Sequence, residues 1–281
     1  MKISGTTIVR NAVKYGYPVV EAVRSVLPIC DEYIINVGDS SDGTLELIKS
    51  IKDPKIKIVE RVWNMSAGKE VLSDETNFAI SQCKGDWVLY NQTDEVLHER
   101  DLPGIKEYMK RYLNDPKVNA LQFRWVHFYG SFFRYRIDAG WFQKQVRVIK
   151  NNGLCRSHDD AWGFRHQDGT SLKSVKTPFF IYHYGWVHDP QIMASKIKNA
   201  FAIGYCPKLN EKEKKPAYDY GDLSRFPVFF GTHPAVMNHL IGKHALSQQD
   251  WQTIVAQYWW NPLLWFRVRY KTGRRVKEKI I

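Results

Sequence analysis

Short apolar runs and helix-period stripes take turns along the first half of the chain. Residues 6–10 (TTIVR) read as a first strand, ending at Asn11. Pro18 opens a helix in which Val19, Ala22, Val23, Val26 and Leu27 share one face, and Pro28 stops it. Residues 33–37 (YIINV) are an apolar run broken by one Asn, a second strand. Leu45, Ile48 and Ile51 mark the next helix, and residues 55–62 (KIKIVERV) alternate as a third strand. This order is the pattern of a parallel, doubly wound α/β sheet with helices on both faces.

Longer pieces follow. Residues 69–83 predict a helix that leads into a short buried strand, 86–90 (DWVLY). Leu102, Ile105, Met109 and Leu113 give another amphipathic helix, and residues 118–129 a long strand. Residues 145–150 and those from Leu154 onward predict a hairpin across Asn151, Asn152 and Gly153. Residues 179–184 read as a strand, and 189–205 as a helix with Ile192, Met193, Ile197, Ala200 and Phe201 inward. Residues 208–222 are polar and charged and read as a mobile loop.

The stretch GDWVLYNQTDEVLHE, residues 85–99, organises the chemistry. Its apolar run stops at Tyr90 and gives way to Asn91, Gln92, Thr93, Asp94 and Glu95. A strand ending this way sets a carboxylate at the carboxyl edge of the sheet, where ligands of open α/β sheets bind. Asp94 there suits a hard divalent cation held against a phosphate, or the stretch is a polar turn with a helix cap. In the loop GDSSDGT, residues 38–44, Asp39 or Asp42 suits hydrogen bonds from a base or ribose, while Ser41 or Asp42 suits a helix cap. His183 ends an apolar strand, as a core histidine or a ligand. SHDDAWGF, residues 157–164, sets two adjacent carboxylates beside His158. Neighbours in an extended chain point to opposite sides, so one of Asp159 and Asp160 faces a pocket and suits proton abstraction.

Composition narrows the classes. A chain of 281 residues with 44% hydrophobic content fits one α/β domain, alone or with an extension. No apolar run reaches the ~18 residues of a membrane span, and the start MKISGTTIVRNAV lacks the apolar centre of a signal peptide. The four cysteines form no C-x-x-C and predict buried thiols in a reduced compartment. A net charge of +12 with 10 Trp suits phosphate-bearing ligands, anionic membranes or nucleic acid, or serves solubility alone. Phosphate-loop, dinucleotide, zinc-protease and serine-hydrolase signatures are absent.

The GDSSDGT loop, the Q-T-D-E motif, the D-D-A-W-G-F loop and H-Y-G-W-V stand in an order and spacing that resemble family 2-type glycosyltransferases with the GT-A fold. The resemblance is closest to a bacterial-type subgroup reading Q-x-D-E-V-L-H-E, and it covers residues 6 to about 200. It implies a mostly parallel GT-A domain over 1–206 and an extension over 207–281 packed on the same domain. It implies an inverting, metal-dependent enzyme that moves a sugar from a nucleotide-sugar, UDP-linked favoured, to a hydroxyl of a glycan or cell-surface polysaccharide. On the matching positions, Asp94 and His183 would hold Mn²⁺ or Mg²⁺, with His188 a weaker candidate. Asp160 would be the base. Arg10, Asn11, Asp39, Asp42, Lys69, Asn77, Gln92 and Glu95 would serve the nucleotide-sugar, and Arg147 the acceptor or diphosphate. Two positions depart from the pattern. Gln92 stands at the first acid of D-x-D, and the usual nucleoside-binding Asp falls on Val37, so that Asp39 would replace it.

In the tail, residues 251–281, Trp259, Trp260, Trp265 and Phe266 precede Arg267, Arg269, Lys271, Arg274 and Arg275. That suits an interfacial anchor on anionic lipid, or aromatics packed on the domain with solvated charges. A nucleic-acid arm lacks an accompanying fold. The expected location is cytoplasmic, peripheral to the inner membrane face if the anchor holds. The competing class is a non-catalytic membrane- or nucleic-acid-binding module on a GT-A scaffold, kept open by Gln92.

Overall fold

The computed structural model describes residues 1–138, 141, 143–204 and 215–242. Its strands are β1 (Ile3–Val9), β2 (Glu32–Gly38), β3 (Ile56–Arg61), β4 (Trp87–Tyr90), β5 (Glu95–Leu97), β6 (Ala120–Tyr129), β7 (Tyr135–Arg136), β8 (Lys144–Lys150), β9 (Cys155–His158), β10 (Gly163–His166) and β11 (Ser174–Trp186). Its α-helices are α1 (Val19–Val26), α2 (Thr44–Lys49), α3 (Glu70–Ser81), α4 (Leu102–Tyr112), α5 (Pro190–Ala202) and α6 (Asn238–Ile241). The readings for residues 208–214 and for the tail from Trp251 lie outside the described residues, as does Cys206.

Nine strands form one mixed sheet in the order β3-β2-β1-β4-β8-β6-β11-β5, with β7 beside β6. Strands β1 to β4, β6 and β11 run one way; β5, β7 and β8 run the other. Both faces are covered, which is why the central strands read as unbroken apolar runs. Tyr33, Ile35 and Val37 of β2 and Trp87 and Leu89 of β4 pack in the layer with α1 and α4. Ile34, Val88 and Tyr90, one residue out of step, pack on the opposite face with Leu72 and Ile80 of α3. A third cluster joins Phe128, Tyr182 and Tyr184 to Phe229 and Met237, so the segment near α6 rests on β6 and β11.

The expected hairpin across Gly153 does not form. Gly153 makes its turn at φ 74°, but β8 enters the main sheet between β4 and β6, and β9 pairs with β10 in a separate two-stranded sheet. The reason is burial. Val148 of β8 belongs to one core layer and Val146 and Ile149 to the other, a demand that only an interior strand meets. Helix α5 starts where Asp189 accepts a hydrogen bond from the Gln191 N–H at 2.9 Å, with Pro190 in its first turn. Met193 and Ile197 are buried as expected, whereas Phe201 is 43% exposed because its side lies beyond the edge of the sheet-facing stripe. The three cysteines described, Cys30, Cys83 and Cys155, are free and buried. Among the described residues no helix is long and apolar enough to cross a membrane.

Candidate active site

The carboxyl-terminal parts of β1, β4, β6 and β11 open onto one cavity of about 400 Å³, a size suited to small-molecule ligands. Arg10, Gln92, Asp94, Asp160 and His183 all line it. Five indoles, Trp63, Trp125, Trp141, Trp162 and Trp186, line it together with smaller apolar side chains.

Strand pairing brings the acidic motif to the late histidine. β5 runs antiparallel to β11 with Glu95 opposite His183, and the Tyr184 N–H donates to the Asp94 carbonyl at 2.8 Å. His183 Nε2 then lies 3.7 Å from Asp94 Oδ2. Its ring stacks on Trp125 at 5.3 Å, and its Nδ1 is 3.0 Å from His127 Nδ1, so one of these two nitrogens carries a hydrogen and the other accepts it. Burial disfavours the Asp94 carboxylate, but Lys196 and His183 outweigh it and hold the group at about 2. Burial lowers His183 against the opposing pull of Asp94, which favours the neutral imidazole. Lys196 Nζ donates to Asp94 Oδ2 at 3.2 Å and to the Gly185 carbonyl at 2.7 Å.

The loop after β9 divides its two carboxylates. Asp159 and Ala161 take positive φ, 50° and 59°, and the chain turns so that their neighbour Asp160 faces the cavity. Asp159 faces outward, with His158 Nδ1 at 2.8 Å and Lys69 Nζ at 3.5 Å. Asp160 Oδ1 is buried with no hydrogen-bond partner among the described residues, and burial raises the group above the ordinary carboxyl range. The Gln92 side chain donates to the Ala161 carbonyl at 3.2 Å, tying this loop to the end of β4.

Several residues expected at the ligand have partners within the frame. Glu95 and Arg147 pair with each other, 1% and 2% exposed at the side chain, and neither lines the cavity. Asp42 holds the turn that leads into α2, whose N-cap is Gly43. Its Oδ2 accepts from the Lys14 N–H at 2.6 Å and its Oδ1 from the Thr44 N–H at 3.1 Å. Asn11, at φ 53°, accepts from the Ser41 N–H through Oδ1 and so locks the loops after β1 and β2 together. Asn77 exchanges two hydrogen bonds with the Ser157 backbone, acting as a strand partner for β9. Asp39 receives the Arg10 guanidinium at 3.3 and 3.4 Å at the cavity rim, while Val37 is buried. His188 is off the cavity wall, and burial pushes it down to about 3.

Whether the residues fit Mn²⁺ or Mg²⁺ turns on Gly185. A β-carbon built there would lie 2.7 Å from His183 Nε2 and closer still to Asp94 Oδ2. The missing side chain leaves a gap shared by a carboxylate oxygen and an imidazole nitrogen. That donor pair fits a divalent ion of the Mn²⁺ type with its other places open to ligand oxygens or water. Among the described residues no third His, Cys, Asp or Glu joins them.

Sequence reading missed Lys196 and did not assemble the five Trp. The signal for Lys196 was present. Met193, Lys196, Ile197 and Ala200 stand three, four and seven residues apart, on one helix face that lines the cavity. A lysine inside an apolar stripe asks for a partner.

The mixed α/β sheet, with a carboxylate-lined cavity at its carboxyl edge, has the GT-A fold expected of it. The sequence matches Glycosyl transferase family 2 over residues 7–168, and the chain belongs to that family. It is a glycosyltransferase. An uncharacterized glycosyltransferase of Rickettsia bellii is 25% identical over 222 residues, covering 77% of this chain and 70% of that protein. One from Rickettsia prowazekii is 25% identical over 198 residues, covering 68% and 63%. Among solved structures, S. aureus TarS 1-349 in complex with UDP-GlcNAc is 13% identical with a TM-score of 0.42, covering 75% of this chain and 68% of that one. The longer S. aureus TarS chain gives 0.43 at 14% identity, and this chain spans 39% of it.

Proposed function

We propose that the cavity binds a nucleotide-sugar, and that the enzyme transfers the sugar with inversion to an acceptor hydroxyl. One observation carries this reading. An ionised carboxylate, Asp94, held at about 2, and a carboxyl with a raised pKa, Asp160, line the same cavity. Two carboxyls pushed apart in this way mark a division of labour between charge and proton transfer.

Asp94 and His183 would hold Mn²⁺ or Mg²⁺, whose charge would offset that of the departing diphosphate. Asp160 takes the proton of the acceptor hydroxyl as its oxygen bonds to the anomeric carbon. On the opposite face the bond from that carbon to the diphosphate oxygen breaks, and the electron pair leaves with the nucleoside diphosphate. A raised pKa makes Asp160 a stronger base than an ordinary carboxylate at the same pH, and the residue lines the cavity that would receive the hydroxyl. The indoles offer flat apolar walls for sugar rings, which supports a glycan acceptor. UDP-linked donors are favoured by the family resemblance. The aromatic and basic tail sequence supports contact with an anionic membrane surface.

The test is a panel of nucleotide-sugars with Mn²⁺, read as thermal stabilisation and as slow donor hydrolysis. A specific donor raises stability by RT ln(1 + [L]/Kd). A panel in which no nucleotide-sugar stabilises or is hydrolysed would overturn the reading.

A further inference from the structure

We infer that Lys196 binds the diphosphate of the donor directly, as a cationic group beside Asp94 and His183; this rests on the nucleotide-sugar reading of the cavity. Lys196 projects from α5 into the cavity wall. Its ammonium has three N–H groups. Asp94 Oδ2 and the Gly185 carbonyl take two of them, and the face of Tyr17 lies 4.5 Å from the nitrogen. The third has no hydrogen-bond acceptor among the described residues.

A fold has little to gain from this arrangement. A buried ion pair roughly breaks even against an apolar pair of the same size, because desolvation cancels most of the attraction. Met193 and Ile197 on the same helix face show what the wall otherwise uses. The charge count gives the lysine a use. A donor diphosphate carries about two negative charges and a divalent ion two positive ones, so the buried Asp94 leaves one negative charge over among these groups. Lys196 offsets that charge, while Asp160, unprotonated when it acts as base, adds another to the same cavity. Arg10 cannot offset that charge by itself, since Asp39 already balances it. In the described state the ammonium rests on Asp94; with a diphosphate present, a phosphate oxygen becomes the third acceptor.

The competing role, a lysine that only positions Asp94, separates from this one by ligand. The experiment is binding of UDP, GDP and uridine to the full chain and to Lys196→Met and Lys196→Arg, each with Mn²⁺ and with chelator. UDP and GDP are followed by calorimetry and uridine by ligand-observed NMR. The expected result is at least a tenfold loss of nucleoside diphosphate affinity in Lys196→Met, in both metal conditions, with partial recovery in Lys196→Arg and unchanged uridine binding. Equal affinity for the diphosphate in wild type and Lys196→Met overturns the inference. So does a loss confined to the Mn²⁺ condition, or an equal loss for uridine. If Lys196→Met does not fold, Lys196→Gln carries the same readings. A wild-type chain that binds neither UDP nor GDP would instead overturn the nucleotide-sugar reading itself.

Discussion

Arg147 grips Glu95 with two parallel hydrogen bonds, from Nε to Oε2 and from Nη2 to Oε1, each 2.7 Å long and both buried. The same guanidinium donates through Nη1 to the Trp162 carbonyl at 2.9 Å. Glu95 adjoins Asp94, and Trp162 lies two residues after Asp160. One side chain therefore fixes the separation between the two halves of the site. Removing one partner strands a buried charge, which costs about 3–5 kcal/mol. Arg147→Met and Glu95→Leu should each lose stability on that scale, and the double variant should lose less than either. Urea unfolding measures this, and a double variant as unstable as the sum of the singles would show that the pair is not coupled.

Gly185→Ala should damage the proposed metal site while sparing the fold's core. The added methyl meets Asp94 and His183. Mn²⁺-dependent binding of nucleoside diphosphate should fall at least tenfold, to the level of Asp94→Ala and His183→Ala. Wild-type Mn²⁺ dependence in all three variants would remove Asp94 and His183 as ligands.

The pH dependence follows from the sign of the Asp160 shift. Its folded pKa is raised by burial, so the protonated form is the one that folding favours. The stability it contributes is fully present below the unfolded value and is lost as pH rises through the folded value. Transfer runs the other way, since a base must be unprotonated: kcat should climb through that same raised value. Asp160→Asn should melt no lower than wild type above this window, and its residual rate should lose the acid limb. Melting temperature and kcat measured across the same pH series check both halves.

Asn77 should matter for catalysis without touching substrate. Its amide accepts from the Ser157 N–H at 2.7 Å and donates to the Ser157 carbonyl at 3.1 Å, and so aligns the strand that leads to Asp160. Asn77→Ala should reduce kcat several-fold and leave donor Kd nearly unchanged. A loss of donor binding equal to the loss of kcat would mean that Asn77 touches the nucleotide-sugar.

Much of this was legible from periodicity. The first four strands and the helices between them were readable because β1, β2 and β4 are buried on both faces, β3 alternates at the sheet edge, and apolar stripes mark the helices. What escaped was the choice of partners over long distances. The turn at Gly153 was visible, but the destination of β8 depends on layers that sequence does not order. β5 has three residues, too few to show a period, yet its pairing with β11 is what joins Asp94 to His183. Motif positions located the cavity through Arg10, Gln92, Asp94, Asp160 and His183. They did not reveal that Glu95 and Arg147 would consume each other's charge, because a pair across two strands leaves no local pattern.

The most direct measurement compares wild type with Asp160→Asn, using a donor that the panel selects, its acceptor, and NMR of the anomeric centre. Wild type should give product of inverted configuration. Asp160→Asn should transfer about 10²–10⁴-fold more slowly, the usual worth of a positioned base, with donor affinity changed little. Asp159→Asn should be mild, since that side chain turns outward. A product of retained configuration, or full activity in Asp160→Asn, would contradict the assignment of Asp160 as the base of a single inverting displacement.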